Sequence, residues 1–237
     1  MEDLVSGTHV YTGSSDREVF RTGDGSATVH DARVGVTFHS MHGALRESRH
    51  VFIEQGLRLV EGPVVHVLEV GLGTGLNLLL SAIEAEERDI LVHYDALEPE
   101  PLGPGLIAQL GHAALLGRPE LEDALIDLVD GLPDRTITFG THVMATRRQV
   151  RVEELDAVQQ FGLIYYDPFG PGAQPLLWSL PVLQRAYNAL KPGGVLVTYC
   201  AKGEVRRNFV SFGAHAERPK GPPGKREMLR ITRPVRP

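Results

Sequence analysis

Glu69 is followed by three glycines at alternate positions, Gly71, Gly73 and Gly75, with Leu72 and Thr74 between them and Asn77 just beyond. An apolar strand running into such a turn and then a helix binds nucleotide-like ligands, because without Cβ atoms the backbone bends sharply and a ligand approaches it closely. Amides at the helix N-terminus are then presented to that ligand. The acid narrows the choice. Glu69 would repel a pyrophosphate, whereas the cationic amino-acid end of S-adenosylmethionine suits a carboxylate at this place. A glycine turn alone is also found as a purely structural strand-to-helix connection. Two further acids bear on the choice. Glu98 closes the apolar run 90–97, where a carboxylate accepts hydrogen bonds from both hydroxyls of a ribose. Pro99 and Pro101 shape the loop beyond it and limit its alternative use as a helix cap. Asp167 ends the run 161–166 and opens a loop of Pro168, Phe169, Gly170 and Pro171. Prolines remove flexibility, so acid and ring are held in place. Such an acid presents a target amine to a methyl group, and Phe169 stacks on a flat base. The competing reading of Asp167 is a turn acid that accepts backbone amides.

These residues need a scaffold that brings strand ends together. From residue 64 strands and helices alternate: strand 64–70, helix 75–87, strand 90–98, a helical stretch 104–128, and a β region within 136–153. Strand 162–167, helix 175–190, strand 194–200, helix 203–211 and a last strand near 226–232 follow. Alternation of this kind predicts an α/β fold with a mostly parallel sheet covered by helices, and ligands at the carboxyl ends of its strands. Ahead of it, β-like pieces at His9–Tyr11 and Ala27–His30 are expected to pair as a hairpin across residues 12–26. Residues 44–55 read as a helix with Leu45, Ser48, Val51 and Phe52 on one face. The expected division is a β-hairpin and helix extension over 1–60, packed on a core domain over 61–237.

Composition bounds the setting. With 237 residues and 42% hydrophobic content, the chain holds one large domain, and no apolar run is long enough to cross a bilayer. The first residues lack the basic start and apolar core of a signal peptide, so a cytoplasmic protein without membrane contact is expected. Cys200 is the single cysteine, which rules out an internal disulfide and places a small apolar residue at the end of a strand. His39, His42 and His50 come without neighbouring Cys or Asp ligands, and no metal site is expected. Net charge is −6, yet residues 202–237 hold ten Lys or Arg against three Glu, a balance of +7 that leaves −13 for residues 1–201. A basic C-terminal segment on an acidic body suits a protein that meets a polyanion with one face. For the last residues, 233–237, a solvated tail is the expectation; for 202–207 and 220–230 a solvated segment and a polyanion-binding face both stand open.

Several blocks together resemble the methyltransferases of tRNA wobble-uridine modification, the MnmD type, also known as the N-terminal domain of bifunctional MnmC. They are Thr22–Thr28, Phe38–Phe52, Glu69–Asn77, Asp167–Pro171 with Trp178 after it, and Gly224–Leu229. The resemblance implies a class I (Rossmann-like) methyltransferase with a mostly parallel seven-stranded sheet and a small N-terminal β/α extension. It implies S-adenosyl-L-methionine as cofactor, the tRNA anticodon region as partner, and methylation of the amine of 5-aminomethyl-uridine, usually 2-thiolated, to 5-methylaminomethyl-uridine. Asp167 is the implied catalytic acid, taking or directing the proton of the amine. Cofactor contacts are expected from Glu69, Gly71, Leu72, Gly73, Thr74, Gly75, Asn77, Glu98, Glu153, Asp167 and Pro168. Substrate contacts are expected from Phe38, His39, Ser40, Phe169, Trp178, Lys225 and Arg226, the last two toward phosphates unless they pair with acids such as Glu217. Trp178 also reads as a core anchor.

The chain departs from this family in places. Its loop reads Asp-Pro-Phe-Gly-Pro where the family more often has Asp-Ala-Phe-Ala-Pro, and a Gly-Asp pair before the third helix is missing, which leaves Glu153 or Glu154 for the adenine. The flavin-dependent half of bifunctional MnmC is expected to be absent, with separate enzymes supplying the aminomethyl precursor. Two rival readings share parts of the pattern: a spermidine-synthase-like aminopropyltransferase, and a catalytically silent RNA-binding module on the same fold.

Overall fold

The computed structural model describes residues 9–12 and 16–235, with side chains from residue 16 onward. The opening residues 1–8 and the last two of the expected tail, 236 and 237, lie outside the described residues. Strand β1 (His9–Thr12) pairs with β2 (Arg17–Arg21), β2 with β3 (Ala27–Asp31), and β3 with β4 (Val36–Thr37), all antiparallel. The expected hairpin is therefore wrong in its pairing: β2 lies between the two pieces, with His9 opposite Phe20 and Val19 opposite Val29. Charged residues at 17, 18 and 21 mask this strand, whose buried side chain is Val19.

Helix α1 (Ala44–Ser48) continues as a wider π-type turn over Arg49–Glu54, so residues 44–55 form one helical unit as expected. Its N-terminal amides are capped from the β2–β3 turn: Ala44 donates to Thr22 Oγ1 (3.2 Å), Leu45 to Ser26 Oγ (3.1 Å) and Arg46 to Asp24 Oδ2 (2.9 Å). Three orphan donors are thus satisfied by residues from another element. These bonds explain why the Thr22–Thr28 and Phe38–Phe52 blocks go together.

The large sheet has eight strands in the order β11, β12, β10, β9, β5, β6, β8, β7. They are β5 (Val64–Val70), β6 (Leu91–Leu97), β7 (Thr136–Phe139), β8 (Val143–Arg148), β9 (Phe161–Tyr166), β10 (Leu190–Thr198), β11 (His215–Glu217) and β12 (Leu229–Thr232). The five from β10 to β8 are parallel, and β7, β11 and β12 join antiparallel at the edges. Eight strands stand where seven were expected, because the region 136–153 folds back at Gly140 into the hairpin β7–β8. The stretch 104–128 is also not one helix. Gly111, in the left-handed conformation, and Pro119 break it into α3 (Pro104–Leu110), α4 (His112–Leu115) and α5 (Glu122–Asp130).

Helices α2 (Leu76–Arg88), α6 (Leu180–Ala189) and α7 (Gly203–Ser211) complete the layers. The apolar strands bury both faces, one against α2, α3, α5 and the N-terminal sheet, the other against α6 and α7. From β5 the chain moves one way to β6 and β8 and then returns to the other side of β5 as β9. The gap between β5 and β9 is the topological switch point, where ligands bind in open parallel sheets.

Candidate active site

Register places the acids. Leu97 of β6 and Tyr166 of β9 both pair with Val70, so Glu98 and Asp167, one residue on, flank Gly71 from opposite sides. The Gly71 amide donates to Leu97 O (3.0 Å) and the Asp167 amide to Val70 O (3.1 Å). A cavity of about 380 Å³ opens at this edge. Gly71, Leu72, Gly73, Thr74, Glu98, Glu153, Asp167, Pro168, Phe169, Phe38 and His39 all line it.

The glycines serve different needs. A Cβ on Gly73 would lie 3.1 Å from the Phe38 ring, at φ +52°, so that turn and ring are packed to contact. Gly75, at φ +74°, instead faces the protein: a Cβ there would meet Leu125 at 2.5 Å, and Gly75 does not line the cavity. Glu69 does not reach the cavity either. Its fully buried carboxyl is engaged on both oxygens, by Asn77 Nδ2 (2.8 Å) and by the Tyr94 hydroxyl (2.9 Å). The expectation of a direct contact with a cationic group is thereby corrected: the acid sits behind the turn, and Asn77 stands before it. Burial pushes the Glu69 carboxyl well above the usual range, opposed by its bonds from Asn77 and Tyr94.

Asn77 also donates to Asp167 Oδ2 (3.0 Å), so one amide bridges two acids. Burial raises Asp167 well above the usual carboxylate range, the nearby Glu47 adds to this, and Asn77 and Lys225 oppose it. The backbone of its loop is fully tied. Phe169 N donates to Gln174 Oε1 (2.9 Å), Trp178 Nε1 to Phe169 O (2.8 Å), and the Tyr199 hydroxyl to Pro168 O (2.8 Å). Trp178 is 5% exposed and packs edge-on against Tyr166 and Tyr199, so it anchors the loop and is no stacking platform for a base. Phe38 and Phe169 form an edge-to-face pair, ring centres 4.9 Å apart, as an aromatic wall.

His39 lines the cavity but is committed to Thr74, ring Nε2 to Oγ1 at 2.8 Å; burial lowers its pKa and keeps it neutral. It steadies the glycine turn. Ser40 lies off the cavity, its amide donating to Glu47 Oε2 (2.8 Å). Lys225 is not directed at phosphates: it pairs with the buried Glu47 and lies over the Tyr199 ring, while Glu217 pairs with Arg230. Arg226 is exposed and away from the cavity. The three histidines also diverge, His50 bonding Glu54 and the Lys220 carbonyl and His42 packing beside Gly224. Among the described residues no three His, Cys, Asp or Glu stand together to hold a metal, and no helix is long and apolar enough to cross a membrane.

Sequence reading missed part of the lining. Arg17, Asp31 and Arg33 come from the N-terminal sheet, Arg17 Nε to Asp31 Oδ2 at 2.9 Å and Arg33 Nη2 to the same oxygen at 2.7 Å. These guanidinium bonds hold Asp31 well below the usual carboxylate range. Nothing in their spacing signals this, since it depends on how that sheet docks. Tyr199 and Glu47 had signals: one follows a parallel strand's carboxyl end, and the other is an acid on the apolar face of α1.

The residues fit S-adenosylmethionine. Asn77, expected to touch the cofactor, is 3% exposed and does not line the cavity; it braces Asp167, the acid that does and that suits an ammonium group. Half-buried Glu98 accepts from Gly73 N (3.1 Å) and Glu100 N (3.0 Å) and keeps acceptor capacity for a diol. Burial raises its pKa as well. Glu153, rather than the exposed Glu154, lies beyond β8 where adenine contacts were expected.

A doubly wound sheet with a glycine turn between strand-end acids defines a class I methyltransferase, and S-adenosyl-L-methionine is its cofactor. The family model of an S-adenosyl-L-methionine-dependent methyltransferase matches residues 135–234. It is 32% identical, over 215 residues, to the tRNA 5-methylaminomethyl-2-thiouridine biosynthesis bifunctional protein MnmC of Aromatoleum aromaticum, covering 84% of this chain and 33% of that protein. The MnmD-type resemblance is borne out by such relatives, of whose length the chain spans about one third. Among solved structures, MNMC2 from Aquifex aeolicus superposes with a TM-score of 0.71 at 23% identity, over 96% of this chain and 74% of that one. Spermidine synthase from Thermotoga maritima gives 0.54 at 16% identity, over 94% and 72%. Both likenesses are of fold.

Proposed function

We propose that this chain methylates the amine of 5-aminomethyl-uridine, with or without 2-thiolation, at the first anticodon position of tRNA in the cytoplasm, giving 5-methylaminomethyl-uridine. The reading is supported by relatives named for 5-methylaminomethyl-2-thiouridine biosynthesis on tRNA. The observation that carries it is the placement of Asp167 at the cavity, its loop pinned on three backbone groups and its carboxyl bridged by Asn77.

When bound, S-adenosylmethionine supplies an electrophilic methyl group on a sulfonium sulfur. Asp167 does what that reaction needs from the protein. An aminomethyl group is protonated at neutral pH and has no lone pair to use, so a carboxylate within reach must remove or hold its proton. A carboxyl raised by burial is better matched to that task than an ordinary aspartate. Phe38 and Phe169 offer a wall for the uracil ring, Glu98 takes the ribose of the cofactor, and the glycine turn lets both approach closely. Asn77 and Glu69 stand behind Asp167 and fix its carboxyl through the bridging amide.

Exposed Lys202, Arg207, Lys220 and Arg226 give the C-terminal segment its attraction for the tRNA backbone. An aminopropyltransferase acts on a cationic diamine, for which an exposed basic C-terminal segment would have no use. The N-terminal extension closes one side of the site through Arg17, Asp31, Phe38 and His39, and the sheet from residue 64 onward carries the catalytic side. The test is transfer of labelled methyl from S-adenosylmethionine to tRNA carrying 5-aminomethyl-uridine, with Asp167→Asn beside wild type. Label on the wild-type product and a loss of about 10²-fold or more in the variant are expected. Cofactor binding without transfer by wild type would refute the substrate, and full activity of Asp167→Asn the role of the acid.

A further inference from the structure

Glu47 and Lys225 do not line the cavity, yet they meet directly behind Asp167. Glu47, on α1, is 8% exposed in its side chain and accepts the Ser40 amide on one oxygen and Lys225 Nζ on the other. Lys225 Nζ also lies 4.0 Å from the centre of the Tyr199 ring. Tyr199 in turn donates to Pro168 O, the peptide just after Asp167. One ion pair thus joins the N-terminal extension, the C-terminal loop and the loop that carries the acid. Glu47 is buried while Lys225 keeps 34% of its side chain exposed, and a pair screened in this way adds little stability by itself.

We propose that Glu47 and Lys225 act as a paired positioning unit for Asp167, holding its loop through Tyr199 and balancing the charge beside its carboxylate. Charged and titratable groups face Asp167 from every neighbouring element. They are Glu69 on β5, Tyr94 on β6, Tyr199 after β10, Glu47 on α1 and Lys225 on the loop before β12, with neutral His39 beside the pair. Of these, Lys225 brings the positive charge that favours the carboxylate form, and Glu47 opposes it. Together they leave Asp167 a nearly neutral boundary on that side. Either one alone would not.

The inference rests on Asp167 acting as the base, and the test separates the two ideas. The Asp167 carboxyl is titrated by 13C NMR in the protein without cofactor, and the pH profile of kcat/KM for methyl transfer is measured in parallel. Lys225→Met is expected to move the titration midpoint and the acid limb up by about 0.5 to 1 pH unit, and Glu47→Gln to move both down by a similar amount. The double variant returns close to wild type, and Lys225→Arg rescues the single loss. Glu47→Gln keeps an acceptor for Ser40, so its downward shift carries the test if Lys225→Met does not fold. Unmoved midpoints in folded single variants, or shifts of the same sign, would overturn the proposal. If the midpoints move as expected while wild type transfers no methyl group, the substrate reading has failed and the pairing stands.

Discussion

Replacing Asn77 by leucine removes the one amide that holds Glu69 and Asp167 together. Asn77 is 3% exposed, and its Nδ2 makes both bonds, at 2.8 and 3.0 Å. A hydrogen bond to a charged group contributes about 1.5 to 3 kcal/mol, so both acids ionised would lose on the order of 3 to 6 kcal/mol. The loss is capped, because two carboxyls left side by side without a donor can share a proton. A destabilisation of about 2 to 3 kcal/mol at pH 8 is therefore expected, falling toward about 1 kcal/mol at pH 6 as the proton becomes cheaper to take up. The sign follows from proton counting: the variant's native state binds more protons than wild type, so its stability falls faster as pH rises. Urea denaturation at the two pH values, with cofactor binding followed by calorimetry, reads both effects. A loss below about 0.5 kcal/mol, or one that does not change between pH 6 and 8, would refute the bridging role of the amide.

Other outcomes follow from the same site. Gly75→Ala places a Cβ 2.5 Å from Leu125 at φ +74° and should destabilise the fold by about 1 to 3 kcal/mol, measured by thermal melting. Trp178→Phe keeps the ring but drops the bond to Phe169 O, costing about 1 kcal/mol in stability and more in kcat than in KM, by steady-state assay. Glu98→Gln should raise the dissociation constant for S-adenosylmethionine about tenfold in calorimetry while leaving the melting temperature near wild type. Glu69, Glu98 and Asp167 all have raised carboxyl pKa values in the fold, so each contributes stability present at low pH and lost as pH climbs from the ordinary carboxylate range toward its raised value. The melting temperature of the protein without cofactor should thus fall as pH rises above the ordinary carboxylate range, and Asp167→Asn should flatten that decline.

How much of this was legible beforehand depended on range. The strand-end acids were, because a parallel strand's last residue faces the ligand edge whatever surrounds it, and Glu98 and Asp167 follow that rule. The alternation from residue 64 likewise announced the sheet, since doubly buried strands and amphipathic helices differ in pattern. What local pattern does not carry is partnership at a distance. Glu69 read as a ligand residue, and only the tertiary fold revealed that Tyr94 and Asn77 occupy it. Lys225 and Trp178 read as substrate contacts for the same reason. Each has the right chemistry, but a buried partner claimed it first. Strand β2 was hidden because three of its five residues are charged and leave no apolar alternation, Arg17 being held by Asp31 across the sheet.

Glu47 and Lys225 are 178 residues apart in the chain. As the polypeptide is made from its N-terminus, α1 and the capping turn around Asp24 can form early, but Glu47 does not meet Lys225 until the chain has been made as far as residue 225. A contact closed that late is of the kind that slows folding. The acid's loop therefore takes its final support among the last events of folding, and a chain interrupted before residue 225 would carry every strand-end acid of the site without the pair that steadies Asp167.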